Sequence, residues 1–378
     1  MRFVASLFGL VHGHDEAWPS ICKNNVVYEK RIRQLADKPK LNMAPFKKGL
    51  APITVHRSLF TILAAALTIG LPFGQAHAGA LAEGAFIQFS RNLSTNADAC
   101  DKLVANAKAA GFHDLYAQWT AVDSIAFFQT SLPYPEQHEL LEPILNAAQQ
   151  HGLSLSIGLT GDPEFWTHIT APNTPLRDYF LTRVARNEEL QKELLKKFGT
   201  HSCWTGYYIP DEIDDVSWRT PERQKLFHDY LALLCKRLRA NDPSSRTIAI
   251  SAFFRARTAR SIVAENLMTI TADTGINWLL LQDGQGLDDP MAACLPLYYQ
   301  AIRKSRKPTA PDIGVILELF RQTNASPFRA APATPDRVRV QAQAAAACFS
   351  KRVVFSIPDY ANPDGAADVQ ALHRLFVK

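Results

Sequence analysis

A strand–loop–helix unit that recurs eight times after Gly79 restricts the fold more than any other feature. Its strand segments are short, apolar nearly throughout, and rich in β-branched and aromatic residues, which is typical of parallel strands buried on both faces. We predict strands over 85–90, 114–120, 154–160, 204–212, 246–254, 277–284, 312–320 and 352–360. We predict helices over 98–110, 137–151, 176–198, 221–240, 257–270, 290–303, 335–349 and 366–376.

Eight such units over about 290 residues give the length of a (β/α)8 TIM barrel, an α/β fold, as a single domain. A doubly wound open sheet is the alternative, but it usually has fewer strands and a Gly-rich phosphate turn after its first strand. The first strand here is followed by SRNLSTNAD, which lacks that turn. Gly111 and Gly152 stand where glycines end helices, directly before the next strand. The sequence therefore favours the closed barrel.

The N-terminal region has the pattern of an export signal. Residues 58–74 are apolar, follow basic residues, and precede small residues that end at Ala78. This pattern predicts a secretory signal peptide over 43–78 and a TIM-barrel domain over 79–378, located in the periplasm or secreted. Residues 1–42 are an over-long or extended N-terminus that we expect to be disordered, and Met43 is the expected start of translation. An uncleaved membrane anchor is the alternative, although the apolar stretch is short for a membrane span.

Composition and motifs exclude several function classes. The net charge of +5 is spread along the chain, which argues against nucleic-acid binding. The six cysteines form no CxxC pair, and the predicted strands carry no HxH pair, so we expect no metal site. No lysine lies in those strands, which argues against Schiff-base chemistry. We expect no cofactor, and no membrane span in the protein once the signal is cleaved.

Polar and aromatic side chains fall at the predicted carboxyl ends of the strands, where barrels carry their chemistry. Carboxylates and amides bind sugar hydroxyls, and aromatic rings pack against the CH faces of sugars. The pattern therefore predicts a carbohydrate site. Its candidate substrate-binding residues are Gln88, Gln118, Trp119, Asp162, Trp166, Tyr208, Asp211, Gln282, Asp283, Asp359 and Tyr360. Two further acids, Glu212 and Glu318, end strands 4 and 7.

Three strings, GYYIPDE (206–212), WLLLQDGQG (278–286) and GVILELF (314–320), resemble those of the DUF4434 family of bacterial TIM-barrel proteins. The resemblance covers roughly Gly84 to Lys378 and implies glycoside hydrolysis. Retaining TIM-barrel glycoside hydrolases place their acid/base Glu at the end of strand 4 and their nucleophile at the end of strand 7. Glu212 and Glu318 occupy those positions. That clan commonly has Asn before the acid/base Glu, where Asp211 stands here.

Two carboxyl groups suffice for the implied reaction, one protonated to assist the leaving group and one ionised to attack the anomeric carbon. We assign Glu212 as acid/base and Glu318 as nucleophile, with Asp211 or Asp283 orienting Glu212 or a sugar hydroxyl. The alternative role for Glu318 is a buried ion pair. The alternative for Glu212 is that it belongs to a solvated acidic loop. A non-catalytic carbohydrate-binding barrel and an accessory protein of an exopolysaccharide system remain alternative functions.

Overall fold

The computed structural model describes residues 81–172, 174–254, 258–287, 294–325 and 328–377. The parallel barrel strands are β1 (Gly84–Ile87), β2 (Asp114–Ala117), β3 (Ser154–Gly158), β4 (Trp204–Ile213), β5 (Thr247–Ala252), β6 (Trp278–Gln282), β7 (Asp312–Glu318) and β8 (Lys351–Ile357). These eight strands close into a barrel in the order β1-β8-β7-β6-β5-β4-β3-β2, which confirms the TIM-barrel prediction. The predicted segments 1–42 and 43–78 lie outside the described residues.

A helix follows each barrel strand and packs on the outside of the barrel. The helices are α1 (Ala97–Ala109), α2 (Leu141–His151), α3 (Leu176–Phe198), α4 (Pro221–Asn241), α5 (Arg260–Thr271), α6 (Leu295–Lys304), α7 (Pro335–Ala346) and α8 (Ala367–Phe376). The Thr220 side chain caps the N-terminus of α4. Gly152 ends α2 in the left-handed conformation, as predicted. Within the described residues, no helix is long and apolar enough to cross a membrane.

Most predicted strands run too far at their carboxyl ends, because the chain there turns into small added elements. The structure has a hairpin of strands Phe320–Ala325 and Phe328–Pro332 after β7, and a short helix Phe165–Thr170 after β3. A small four-stranded sheet forms from Ala121–Val122, Ile125–Ala126, Glu136–Gln137 and Thr160–Gly161. The predicted start of α2 at residue 137 was wrong because Gln137 belongs to this sheet, and α2 begins at Leu141.

Two hydrophobic clusters separate the inside of the barrel from its outer layer. The larger cluster fills the space between the strands and the helices. The smaller cluster fills the barrel interior and is built from Phe86, Tyr116, Tyr208, Ala249, Leu280, Ile316, Phe320, Phe328, Val353 and Phe355. Side chains alternate between the two faces of a strand, so in a regular strand the residue two positions after an interior residue also faces into the barrel.

Strand β4 contains an irregularity at its acidic end. Ile209 pairs with Ile250, but Ile213 pairs with Ala252, so four residues of β4 advance against two of β5. Pro210 lies inside this bulge, where its missing N–H interrupts no ladder hydrogen bond. The bulge therefore sets the direction of the side chains of Asp211 and Glu212.

Candidate active site

A layer of polar side chains covers the apolar interior at the carboxyl end of the barrel. Its members are contributed by β1, β2, β4, β6 and β7 or by the residue that follows the strand, and each is at most 4% exposed. They are Gln88, Gln118, Glu212, Gln282 and Glu318. Two of these amides have a buried atom without a hydrogen-bond partner, Nε2 of Gln88 and Oε1 of Gln118. Buried polar atoms in proteins normally have a hydrogen-bond partner, and a bound ligand can supply the one that is missing here.

Glu212 is held at one oxygen and unpartnered at the other. Gln282 donates a hydrogen bond from Nε2 to Glu212 Oε1 at 2.7 Å, and donates a second to Ser251 Oγ at 3.2 Å. Glu212 Oε2 is buried without any hydrogen-bond partner. Burial disfavours the charged carboxylate and raises the pKa of Glu212 to about 7. Glu212 can therefore carry a proton near neutral pH, as a general acid must.

Glu318 is held by the backbone of the turn that follows β6. Gly286 donates its backbone N–H to Glu318 Oε2 at 2.6 Å. Burial, and next the negative charge of Asp283, raise the pKa of Glu318 above its usual value. The Gly286 N–H acts in the opposite direction because it stabilises the ionised form.

The two glutamates interact electrostatically across the mouth of the barrel. The charge of Glu212 is among the causes that raise the pKa of Glu318. β6 lies beside β7, with Gln282 paired to Ile316. The Gln282 side chain reaches Glu212 from there, so Gln282 links Glu212 to the strand beside Glu318.

Asp283 directly follows β6 and holds the chain around Glu318. Its Oδ1 accepts the backbone N–H of Glu318 at 3.3 Å and that of Gln285 at 3.2 Å. Its Oδ2 accepts a hydrogen bond from Gln341 Nε2 at 2.6 Å. Three hydrogen-bond donors of the protein thus bind the two carboxylate oxygens of Asp283. Asp283 therefore supports the backbone around Glu318.

The sequence profile of the family described as "Domain of unknown function (DUF4434)" matches residues 82–367. The chain belongs to the DUF4434 family. The Escherichia coli K12 protein named "Uncharacterized protein YbcH" is 31% identical over 255 residues, which cover 68% of this chain and 82% of that protein.

Several solved TIM barrels share the fold of this DUF4434 protein at low sequence identity. A Bacteroides thetaiotaomicron protein provisionally named an alpha-L-fucosidase is 15% identical with a TM-score of 0.62, covering 90% of this chain and 100% of its own. The endo-beta-1,4-mannanase of Thermotoga petrophila is 10% identical with a TM-score of 0.53, covering 78% and 75%. A broad specificity endoglucanase of Clostridium acetobutylicum is 12% identical with a TM-score of 0.51, covering 78% and 97%.

Asp211 faces away from the mouth of the DUF4434 barrel, which corrects the prediction that it binds substrate or orients Glu212. Its Oδ1 accepts a hydrogen bond from Arg183 Nη2 at 2.7 Å, and its Oδ2 accepts one from the hydroxyl of Tyr230 at 2.5 Å. Arg183 and Tyr230 belong to α3 and α4 in the outer layer. Adjacent residues of a strand point to opposite faces, so Glu212 faces inward and Asp211 outward.

Three aromatic residues predicted as sugar platforms are packed within the protein. Trp119 and Trp166 belong to the outer hydrophobic cluster, where the Trp119 indole donates to the carbonyl of Phe89 at 3.0 Å. Tyr208 lies in the barrel interior with 1% exposure, and its hydroxyl is 2.8 Å from Ser251 Oγ. These contacts correct the prediction for all three, because a platform must present a ring face to the ligand.

Three predicted residues lie at loops around the mouth. Asp162 accepts a hydrogen bond from the hydroxyl of Tyr179 at 2.6 Å, and Asp359 accepts one from Ser356 Oγ at 2.6 Å. Tyr360 is partly exposed and packs against Phe320, with ring centroids 5.6 Å apart. Tyr360 therefore stays a candidate platform.

Ser251 and Gly286 contribute to the site but were not predicted. Ser251 is a small polar residue that follows the apolar run Ile248–Ile250 within its strand, and that contrast was a usable signal. Gly286 carried no comparable signal, because a glycine in a polar turn is ordinary loop composition. Among the described residues, no three His, Cys, Asp or Glu side chains converge to hold a metal ion. A cavity of about 790 Å³ lies outside the barrel between α1 and α2, and it contains none of the polar layer.

Gly286→Ala should impair the candidate site while leaving the fold intact. A Cβ at this position would lie 2.7 Å from Glu318 Oε2 and overlap the ring of Phe320. The added methyl group must displace the carboxyl group of Glu318, so turnover that depends on Glu318 should fall by about 10²-fold. Gly111→Ala is the control, because Gly111 has φ +84° in open space, so only stability should fall. Equal kcat in the Gly286→Ala and wild-type proteins would contradict this role of Gly286.

Proposed function

We propose that this DUF4434 protein is a glycoside hydrolase that cleaves polysaccharides or oligosaccharides by a retaining mechanism. Glu212 is the general acid/base and Glu318 the nucleophile. The observation that carries the proposal is the pair of glutamates at the ends of β4 and β7, where Glu212 has an oxygen without a protein partner and Glu318 is fixed by a backbone N–H. The names of two fold neighbours, an endoglucanase and an endo-mannanase, agree with this substrate class.

The reaction follows from the different surroundings of the two carboxyl groups. In the first step the Glu318 carboxylate attacks the anomeric carbon while the proton on Glu212 moves to the departing oxygen. In the second step Glu212 takes a proton from a water molecule, whose oxygen displaces Glu318 from the sugar. Gln282 holds Glu212 in both steps because its amide reaches Oε1 and leaves Oε2 available.

The opposite side of the mouth supplies groups for binding sugar hydroxyls. Gln88 and Gln118 follow neighbouring strands, and each has a buried amide atom that has no partner. A sugar hydroxyl can both donate and accept, so it can satisfy either amide. Tyr360 would supply the aromatic surface. We also propose export to the periplasm or the medium, on the basis of the signal pattern over residues 43–78.

Glu212→Gln tests whether the barrel hydrolyses glycans or only binds them. Hydrolysis of a panel of polysaccharides should be measured as new reducing ends, and binding by calorimetry. We expect hydrolysis by the wild type and a loss of about 10³-fold or more in the variant, with binding retained. Glu189→Gln, an exposed change on α3, is the matched control and should leave turnover unchanged. Binding without turnover in the wild type would contradict the proposal and favour a carbohydrate-binding barrel.

Activity should have its maximum in a narrow pH range slightly above neutrality. The reaction needs Glu318 ionised and Glu212 protonated, but the pKa of Glu318 is raised to about 8 and that of Glu212 to about 7. The productive form is therefore a minority form that is most populated between these two values, and activity should fall at lower and at higher pH. Asp283→Asn removes a charge that raises the pKa of Glu318, so the maximum of kcat/KM should rise and move to lower pH. An unchanged maximum would show that the ionisation of Glu318 does not limit activity.

A further inference from the structure

We propose that Arg337 and Gln341, on the outer helix α7, are positioning residues for Glu318, a proposal that rests on the function proposed above. Neither residue lies at the end of a barrel strand. Together they fix the backbone of Glu318 and the turn that supplies its hydrogen-bond donor. The nucleophile is therefore held from outside the barrel by one face of a helix.

Arg337 binds three backbone carbonyls, on two segments of the chain, with one guanidinium group. Its Nη2 donates to the carbonyl of Glu318 at 2.9 Å and to that of Phe320 at 2.6 Å. Its Nη1 donates to the carbonyl of Gln285, the residue before Gly286. The same side chain thus holds the main chain of Glu318 and the turn whose N–H binds the Glu318 carboxyl group.

Gln341 lies one helical turn after Arg337, so both side chains are on the same face of α7. Gln341 Nε2 donates to Asp283 Oδ2 at 2.6 Å and to the carbonyl of Glu318 at 3.3 Å. Asp283 in turn accepts the backbone N–H of Glu318. Both backbone polar groups of Glu318 are therefore bound through α7, one directly and one through Asp283.

The start of α7 is itself well fixed. Thr334 caps the helix, and its Oγ1 accepts the backbone N–H of Arg337 at 3.3 Å. Pro335 occupies the first turn, where its fixed φ favours helix formation. Arg337 and Gln341 therefore project from a rigid element, which is what precise placement of a reacting group requires.

The guanidinium also acts on the charge balance around Glu318. The charged and titratable groups that act on or face Glu318 are Asp283 beside β6, Glu212 on β4, Arg337 on α7, Tyr299 on α6 and Tyr360 after β8. Of these causes, the charges of Asp283 and Glu212 raise the pKa of Glu318, and the charge of Arg337 lowers it. Loss of Arg337 should therefore favour the protonated, non-nucleophilic form.

The substitutions Arg337→Lys and Arg337→Met distinguish the effect of the planar guanidinium shape from the effect of its positive charge. Lysine keeps the charge but lacks the planar fork that binds several carbonyls at once, whereas methionine lacks both. The pKa of Glu318 should be followed in the full chain by NMR of ¹³C-labelled glutamate, assigned with Glu318→Gln. This readout needs no substrate, so it remains informative if no glycan is hydrolysed. Turnover and its pH profile then test the link to the proposed function.

We expect Arg337→Met to raise the pKa of Glu318 by about one pH unit and to lower kcat by about 10²-fold. Arg337→Lys should leave the pKa near the wild-type value but still lower kcat by about 10-fold. Gln341→Leu should raise the pKa of Asp283 and lower kcat, which gives an independent test if Arg337→Met does not fold. Arg339→Met, an exposed change on the same helix, is the control and should change neither quantity.

Three results would overturn the proposal. If Arg337→Lys had the wild-type pKa of Glu318 and the wild-type kcat, the positive charge alone would matter, and the planar guanidinium group would not position Glu318. A wild-type pKa of Glu318 in Arg337→Met, or equal effects of Arg337→Met and Arg339→Met, would show that α7 acts only on overall stability. An altered pKa in a protein that hydrolyses no glycan would instead support the positioning and refute the proposed function.

Discussion

Glu318→Ala should lower kcat by about 10⁴-fold or more, because removal of a covalent nucleophile eliminates the step that forms the intermediate. Added azide should then restore turnover of a substrate with a good leaving group, since the small anion fits where the carboxyl group was. The azide attacks the face of the sugar that Glu318 attacks, so the glycosyl azide should have the configuration opposite to that of the substrate. NMR of the product measures that configuration.

Glu212→Ala provides the comparison. Here the nucleophile remains, so azide can only intercept the glycosyl-enzyme, and the product should keep the configuration of the substrate. If the two variants gave products of the same configuration, the two roles would be wrongly assigned. If azide restored neither variant and kcat fell equally in both, an inverting mechanism would be favoured over a retaining one.

Arg183→Met should strongly destabilise the protein. Arg183 is 1% exposed and donates to Asp211 from both Nε and Nη2 and to the carbonyl of Thr160 from Nη2. Its loss leaves the buried carboxylate of Asp211 without its cation. Removing one partner of a buried ion pair costs about 3–5 kcal/mol in the free energy of unfolding. Urea denaturation measures this loss.

A second variant shows whether the uncompensated charge is the cause. In Arg183→Met/Asp211→Asn the buried charge is absent, and Asn can still accept a hydrogen bond from Tyr230, so this protein should be more stable than Arg183→Met alone. Arg186→Met, an exposed change on the same helix, should have little effect. A double variant less stable than Arg183→Met would contradict the assignment of the loss to the Asp211 charge.

The barrel and the glutamate pair could be predicted because they depend on local patterns. Eight apolar strands alternating with amphipathic helices indicate one architecture, and barrel strands carry their functional groups at the carboxyl ends. The prediction of Gln88, Gln118 and Gln282 beside the glutamates uses the same rule, and the structure places all three in the polar layer.

The direction in which a strand residue points was harder to predict. Both faces of these strands are apolar, so the sequence does not show which of the two alternating sets of side chains faces the barrel interior. Trp119 and Asp211 were therefore grouped with Gln118 and Glu212, although each points to the opposite face. The partner that fixes Asp211, Arg183, comes from a preceding helix, and such long-range pairs leave no periodic signal.

The added elements at the mouth were missed for a related reason. The predicted strand 312–320 ran through Glu318 into Phe320 because both sides of the break are apolar, whereas the chain leaves the barrel there to form a hairpin. The contacts of Gly286 with Glu318 join residues from separate loops. Only the folded chain shows them.

The separation of the Glu212 and Glu318 carboxyl groups in a crystal structure is the most direct test of the whole account. A retaining pair requires the two carboxyl groups to be about 5 Å apart, with both facing the mouth of the barrel. We predict that separation. A separation well beyond the range of about 6.5–9.5 Å that serves inverting enzymes would contradict the account, because two such distant groups could not act on one glycosidic bond.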